Sequence, residues 1–256
     1  MEIDQNLKKD SSSFIKEIQK RGIDFKKILF FIEELERQGL DFESFLELIK
    51  EDKILAKELF EFINLRLQPN SIEAIYLAPW QRIYRKWFGV YVDISGLKVP
   101  ENYDPEKHFL ILVAKGITVS SVISAMRKKF NVWLYAEDLD FKVTKNDRIP
   151  ENESYLALFN RSVKADEEFK NISAIDLVKK GNKGITLLER LLLEVLYFDE
   201  SNKNLDFDSS TLCLGSRLSG RKIPEVGWYS DRNLFYVHWR HSNYSYDFLS
   251  SRFLIS

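Results

Sequence analysis

The feature that most constrains the fold of this chain is a strongly apolar helical segment in its second half. Apolar residues fill Leu187–Phe198 (LLERLLLEVLYF) on most sides, and only Glu189, Arg190 and Glu194 interrupt them. Thr186 and Glu189 have the spacing of a capping box, which marks the start of the helix. Because a helix that is apolar on most sides is normally buried, the sequence predicts a central helix with other elements packed around it.

Short apolar runs alternate with a second helical pattern upstream of this segment. The runs Phe109–Ala114 and Asn131–Ala136 are typical of strands, and Val119–Phe130 between them has helical periodicity. Thr118 can cap that helix. A third candidate strand is Ser154–Phe159. This β-α-β order permits a parallel pair of strands joined by a right-handed crossover.

The C-terminal section is predicted to be rich in strands. Ser173 and Asp176 form another capping box, which predicts one more helix before these strands. Ser230–Asn233 indicates the turn of a hairpin. Apolar residues alternate or cluster in four short segments, Thr211–Leu214, Gly227–Tyr229, Leu234–Trp239 and Phe253–Ile255.

The N-terminal quarter is predicted to be a separate helical module. Residues 11–66 contain no proline, and their apolar residues recur every three or four positions. The pattern ends at residues 69–71, so we expect a helical module over residues 1–70 and a mixed α+β domain over residues 71–256. Residues 1–70 carry 12 basic and 15 acidic residues. An acidic helical module favours a partner protein over nucleic acid.

Composition argues against several classes of protein. The 38 basic and 39 acidic residues nearly cancel, so net charge alone does not favour binding to nucleic acid or anionic lipid. A single cysteine excludes an intramolecular disulfide and a multi-cysteine zinc site. The N-terminus lacks the apolar core of a signal peptide, and Phe109–Ala114 is too short to cross a bilayer. We therefore expect a soluble, cytoplasmic protein without a membrane span, and we predict no cofactor or metal.

Reactive side chains that are scarce elsewhere gather near the C-terminus. The stretch Thr211–His241 holds the only cysteine, Cys213, together with His238, His241 and two of the five tryptophans. A thiolate–imidazole pair here would support a hydrolase or transferase. However, Cys213 lies between two leucines and is expected to be buried. Histidines three residues apart in a strand face opposite sides, so they are not expected to share a metal.

The basic and aromatic residues of the same stretch are the preferred ligand-binding candidates. Arginine and lysine can contact phosphate or carboxylate groups, and the neighbouring aromatic rings add apolar contact area. The sequence therefore predicts a recognition surface for a polar or anionic ligand beside a core strand. The candidate residues are Arg217, Arg221, Lys222, Trp239, Arg240 and His241.

Three other segments could carry chemistry. Trp80–Trp87 interleaves aromatic and basic residues, as sites for single-stranded nucleic acid do, although helical spacing places the aromatics on one core-facing stripe. The acidic stretch Glu137–Asp140, with Asp147 nearby, could in principle join a magnesium site. Gly181–Gly184 could form an anion-binding turn, but it lacks the phosphate-loop motif.

Parts of the chain resemble an uncharacterised group of bacterial proteins with no established activity. The resemblance covers roughly residues 110–256 and implies a bacterial origin, but no residue roles. The segments that carry it are Val113–Asp147, Ala165–Leu177, Gly184–Phe198 and Thr211–Arg217.

The sequence thus favours a non-catalytic binding or protein-interaction protein. One alternative is a cysteine-dependent hydrolase or transferase that uses Cys213 with a histidine. Another is nucleic-acid binding through aromatic and basic surfaces.

Overall fold

The described residues, 72–181 and 183–255 of a computed structural model, have the α+β architecture that the sequence predicts. The helical module predicted for residues 1–70, and its boundary with the second domain, lie outside these residues. Every helix in the described part of the chain is too short or too polar to cross a membrane.

Most of the predicted helices and strands are present with shifted ends, and the structure has further short elements at residues 139–146, 216–218 and 249–251 that the sequence does not predict. The π-helical turn Tyr84–Phe88 continues the first helix. The helices are α1 (Ile72–Ile83), α2 (Val119–Met126), α3 (Leu139–Lys142), α4 (Ala174–Lys179) and α5 (Leu187–Ser201). The strands are β1 (His108–Val113), β2 (Asn131–Leu134), β3 (Val143–Asn146), β4 (Tyr155–Asn160), β5 (Ser210–Leu212), β6 (Ser216–Leu218), β7 (Lys222–Tyr229), β8 (Leu234–His241) and β9 (Leu249–Ser251).

The pairing of β1 with β2, which the β-α-β order permitted, does not occur. β1 pairs antiparallel with β4 in a two-stranded sheet, and β2 pairs in parallel with β8, about a hundred residues later in the chain. The larger sheet has the order β2–β8–β7–β5–β9, and β6 connects its β7 strand to β3. The order of helices and strands along the chain does not decide which strands pair. Pairing also depends on which strand edges are covered by elements that are distant in sequence.

Helix α1 covers main-chain groups of β1. The indole Nε1 of Trp80 donates a hydrogen bond to the carbonyl of Leu110 at 2.7 Å, and the hydroxyl of Tyr84 donates to the carbonyl of Leu112 at 2.9 Å. Trp80, Tyr84 and Trp87 are buried, whereas the three basic residues of the segment are exposed. The predicted core-facing stripe is thus confirmed, and these rings are not available to stack on bases.

Helix α5 is the central core helix that the sequence predicts. Its residues from Leu187 to Leu196 are all buried, and it contacts α2, β1 and β7. The capping box is complete, because Glu189 N donates to Thr186 Oγ1 at 3.2 Å and Thr186 N donates to the Glu189 carboxylate at 2.8 Å. Thr118 caps α2 as predicted, although α2 ends at Met126, four residues earlier than the pattern indicated.

Among the C-terminal strands, β7 and β8 form an antiparallel hairpin, and β5 and β9 form a parallel pair. β7 and β8 pair over their whole length, and the predicted turn between them is a 3₁₀ turn that ends at Asn233 in the left-handed region. The predicted strand Phe253–Ile255 is wrong, since Phe253 forms only an isolated bridge to Gly184. The last strand is β9, which is parallel to β5.

Candidate functional site

A row of aromatic rings lies on β8 and the loop that follows it, and we call this row the aromatic surface. Successive rings contact one another with centroids 5.2–6.2 Å apart. Trp133, Tyr244, Tyr246 and Phe248 each leave 40–46% of their area exposed, so they are not core residues. The members, in order of contact, are Trp133, His238, Trp239, His241, Tyr244, Tyr246 and Phe248.

Two basic side chains rest on these rings. The ammonium group of Lys222 lies 3.7 Å from the centroid of Trp239, and the guanidinium of Arg240 lies 5.4 Å from Tyr246 and 5.8 Å from Phe248. Cation–π contacts of this kind hold a charge over the negative face of a ring. The basic groups therefore fix the orientation of the rings as well as supplying charge.

A fully buried carboxylate supports the aromatic surface from within the sheet. Glu225 of β7 forms an ion pair with Arg240 and accepts hydrogen bonds from Ser210 Oγ at 2.9 Å and from the Tyr236 hydroxyl at 3.1 Å. Burial, together with the neighbouring Glu225 charge, raises the pKa of Tyr236 well above its ordinary value, so this side chain remains a hydrogen-bond donor. The sheet thus positions Arg240 beside Tyr246 and Phe248.

The structure brings together four of the six predicted ligand-binding residues. Lys222, Trp239, Arg240 and His241 all belong to or touch the aromatic surface. Arg221 lies next to them at a tight turn with φ +57°, where its carbonyl accepts a hydrogen bond from Ser242 N at 3.0 Å.

Arg217 is separated from the other five predicted residues. It lies in β6 opposite Lys145 of β3, and its guanidinium donates to the carbonyls of Leu214 and Ser216. Glycine, serine and basic residues at 215–222 are typical of a flexible basic loop, but β6, a tight turn and the start of β7 occupy this stretch. The contacts of Arg217 are structural ones within its own turn.

Cys213 does not form a reactive pair with His238 or His241. Cys213 is fully buried and its N–H donates to the carbonyl of Pro224 in β7, so β7 lies between the thiol and β8. Two strand spacings put the main chains of Cys213 and β8 roughly 10 Å apart. By strand alternation His238 and His241 lie on opposite faces of β8. The row of rings passes from one face to the other beyond the end of β2, whose pairing with β8 stops at Val237. Among the described residues, no group of three histidine, cysteine, aspartate or glutamate side chains could hold a metal ion.

Cys213 is therefore expected to resist alkylation in the folded protein. Burial raises the pKa of its thiol far above the ordinary value, and only the thiolate is nucleophilic. Iodoacetamide at neutral pH should label Cys213 only in urea, as measured by the mass of the intact protein. Rapid labelling of the folded chain would restore the cysteine-dependent enzyme as a hypothesis.

The acidic stretch that suggested magnesium is used for helix capping and ion pairing. Both carboxylate oxygens of Asp140 accept hydrogen bonds, at 2.9 Å, from Val119 N and Ser120 N at the start of α2. Asp138 caps α3, and Glu137 pairs with Arg127 on the surface. These carboxylates already have protein partners, and they stabilise helix ends in the usual way.

The turn at residues 181–184 has a packing role at its described end. A Cβ on Gly184 would lie 2.4 Å from the Cβ of Leu214, so only glycine permits this approach of two chain segments. The carbonyl of Gly184 accepts a hydrogen bond from Arg148 at 2.7 Å. Asn182 lies outside the described residues, and nothing in the described part of the turn indicates an anion.

A cleft of about 960 Å³ lies between α2 and the long connection that precedes β1. Ser121, Ser124 and Lys128 line one wall at helical spacing, and Lys115 and Glu153 lie at the rim. Its charged residues are balanced in sign. The first main-chain donors of α2 are occupied by Asp140, so the helix start does not offer an anion site.

Sequence reasoning missed much of the aromatic surface. The sequence predicts a strand for Trp133 but no functional role, and it does not single out Tyr244, Tyr246 or Phe248. Their spacing of two along the chain was a usable signal, because it places three aromatics on one side of an extended segment. Glu225 carried no signal, since its burial depends on Ser210 and Arg240 from neighbouring strands.

Comparison with known proteins provides no relative for this chain. No family model, curated protein or solved structure matches it.

Proposed function

We propose that this protein is a non-catalytic binding protein that recognises a partner protein through the aromatic surface. The observation that carries this proposal is a continuous row of partly exposed rings, supported by the ion pair of the buried Glu225 with Arg240. Tryptophan, tyrosine and arginine dominate binding energy at protein interfaces, and contiguous exposed apolar area marks interaction sites. A rigid support lowers the entropy lost on binding.

The composition of the segment favours a protein partner. Residues 239–248 read WRHSNYSYDF. Tyrosine, serine and asparagine, with tryptophan and arginine as anchors, are the residues of antibody binding loops, because rigid amphipathic rings alternate with adaptable hydrogen-bonding groups.

The charges near the aromatic surface favour a protein over nucleic acid. The charge of Arg240 is compensated by Glu225, which leaves Arg221, Lys222 and the histidines as the nearby basic groups. Nucleic-acid binding normally neutralises many phosphates with free lysine and arginine side chains. This small number of basic groups fits a partner protein that presents a few acidic side chains beside its apolar contact area.

The proposal is tested by comparing two variants that each remove one exposed aromatic ring. Tyr244→Ser removes a central ring of the aromatic surface, whereas Phe141→Ser removes a ring that is 75% exposed on α3. Wild type and the two variants each serve as bait in a bacterial lysate. The captured proteins are identified and quantified by mass spectrometry. The candidate partner is then purified, and its dissociation constant is measured by calorimetry.

We expect Tyr244→Ser to weaken binding by about tenfold or more, as loss of an interface anchor does, and Phe141→Ser to bind like wild type. Equal binding by all three proteins would contradict the proposal. Binding that disappears after nuclease treatment and falls steeply with salt would instead support the nucleic-acid alternative.

A further inference from the structure

A second concave site lies at the opposite end of α2 from its cap, and we call it the polar basin. Its volume is about 370 Å³, and it is bounded by the end of α2, the start of β2, the connection between α5 and β5, and the turn between β7 and β8. None of the described residues that line it is acidic. The polar side chains around it are Arg127, Lys128, Lys129, Asn131, Asn204 and Asn233.

The positive charge of the polar basin is not compensated within it. Arg127 pairs with Glu137, which does not line the basin. Lys128 and Lys129 are exposed, and neither forms an ion pair or side-chain hydrogen bond within the described part of the chain. The carbonyl end of a helix carries only about half a negative charge, so the two lysines outweigh it and the basin attracts anions.

Capping does not explain Asn131 and Asn204, whereas Asn233 occupies the left-handed position that ends the turn before β8. Basic side chains at the end of α2 are favourable for the helix itself. Asn131, Asn204 and Asn233, however, come from three other parts of the chain and meet at the same basin. The Oδ1 atom of Asn204 is buried without a hydrogen-bond partner. The NH₂ group at the other end of this amide is a donor that can bind an anion.

Three aromatic rings that pack against one another form one side of the polar basin, the aromatic wall, and Trp228 among them is buried. Phe130 contacts Phe198 and Trp228 edge to face, at centroid distances of 4.7 and 5.5 Å. The indole of Trp228 is fixed by a hydrogen bond to Glu194 at 3.1 Å. A ligand would therefore meet a rigid site, which reduces the entropy that binding costs.

We infer that the polar basin binds the phosphate group of a small phosphate monoester, with Lys128, Lys129 and the asparagines as donors and the aromatic wall beside the organic part. Phosphate offers several strong acceptor oxygens and a charge between one and two, which suits a site rich in donors. The volume accommodates a phosphate with a ring-sized substituent. The aromatic surface shares no residue with this site, so the inference does not rest on the proposed function.

The test uses inorganic phosphate and phenyl phosphate as probes, with calorimetry at low salt. We expect the wild-type protein to bind phenyl phosphate more tightly than phosphate, because only the former contacts the aromatic wall. Replacing both lysines, Lys128→Glu and Lys129→Glu, should weaken binding about tenfold or more through loss of two charge-assisted contacts. Asn204→Asp, which changes one amide to a carboxylate of the same shape, should also weaken the binding of phenyl phosphate.

A control variant reverses one lysine charge elsewhere. Lys145 is exposed on β3 and does not line the basin, so Lys145→Glu should leave the affinity for phenyl phosphate unchanged. Thermal unfolding of each variant confirms that it is folded. Failure of wild type to bind either probe, or equal affinities of wild type and the basin variants, would overturn the inference.

Discussion

Asp206→Asn is expected to destabilise the protein by about 3–5 kcal/mol, the range found when one partner of a buried ion pair is removed. The Asp206 carboxylate lies between two buried guanidinium groups, 3.0 Å from Arg190 and 2.9 Å from Arg252. It also accepts hydrogen bonds from Thr211 Oγ1 and, at 2.9 Å, from Ala165 N. Without its charge, the two buried guanidinium groups are left with one carboxylate, Glu194, which pairs with Arg190 and not with Arg252.

The Asp206→Asn variant tests the effect of the charge separately from any effect of the backbone conformation. Asp206 has φ +52°, in the left-handed region that asparagine tolerates nearly as well as aspartate. Asp208→Asn makes the same chemical change on an exposed residue two positions away, and it should cost no more than about 0.5 kcal/mol. Urea unfolding followed by circular dichroism gives both values, and similar stabilities for the two variants would refute the argument.

The pH dependence of unfolding tests the same group. Burial raises the pKa of Asp206, but Arg252 and Arg190 outweigh this effect and hold the pKa below its ordinary value. A carboxyl whose pKa is lowered by folding contributes stability above about pH 4 and loses that contribution as the pH falls. Burial raises the pKa of Glu194, so protonation of Glu194 favours the folded state as the pH falls. The stability difference between wild type and Asp206→Asn should therefore shrink between about pH 5 and about pH 2.

The central helix shows how much of the fold could be predicted from the sequence. Its start, its approximate length and its burial followed from a capping box and an apolar composition, both of which are local properties. The roles of its charged residues did not follow. Glu189 pairs with Arg148, and Arg190 pairs with Asp206 as well as Glu194, so two of the partners are supplied by distant parts of the chain. Charged residues within an apolar helix thus indicate buried networks whose partners only the fold identifies.

The sheet and the candidate site show the same division. Most strands were recognised, but their neighbours were not, because β2 finds its partner β8 about a hundred residues later. Lys222 and Trp239 were chosen from residue type alone, and the strand register then placed them side by side. Arg217, chosen by the same reasoning, points into its own turn. Residue type therefore nominated the region correctly, whereas strand register decided which members share a surface.

Glu225→Gln is expected to lower the free energy of unfolding by about 2–3 kcal/mol, less than for Asp206 because solvent reaches the partner guanidinium and screens the pair. The Arg240 side chain is 29% exposed, whereas Glu225 is fully buried. Glutamine keeps the shape of the side chain but turns an NH₂ group toward donors that surround it, among them Ser210 and Tyr236. Chemical denaturation measures the loss. The matched control is Glu137→Gln, which breaks an exposed pair with Arg127 and should cost no more than about 1 kcal/mol.

A double-mutant cycle with Arg240→Met separates the ion pair from the other contacts of Glu225. If the pair supports the aromatic surface, the effects of Glu225→Gln and Arg240→Met on stability should be non-additive, with a coupling of about 1 kcal/mol or more. Both single variants should also weaken capture of the partner protein, because Arg240 no longer holds Tyr246 and Phe248 in place. Additive stability effects would show that Glu225 stabilises only the sheet. If the variants lose stability but still bind the partner fully, recognition depends on the other rings of the row, such as Trp133 and Tyr244, and not on the buried carboxylate.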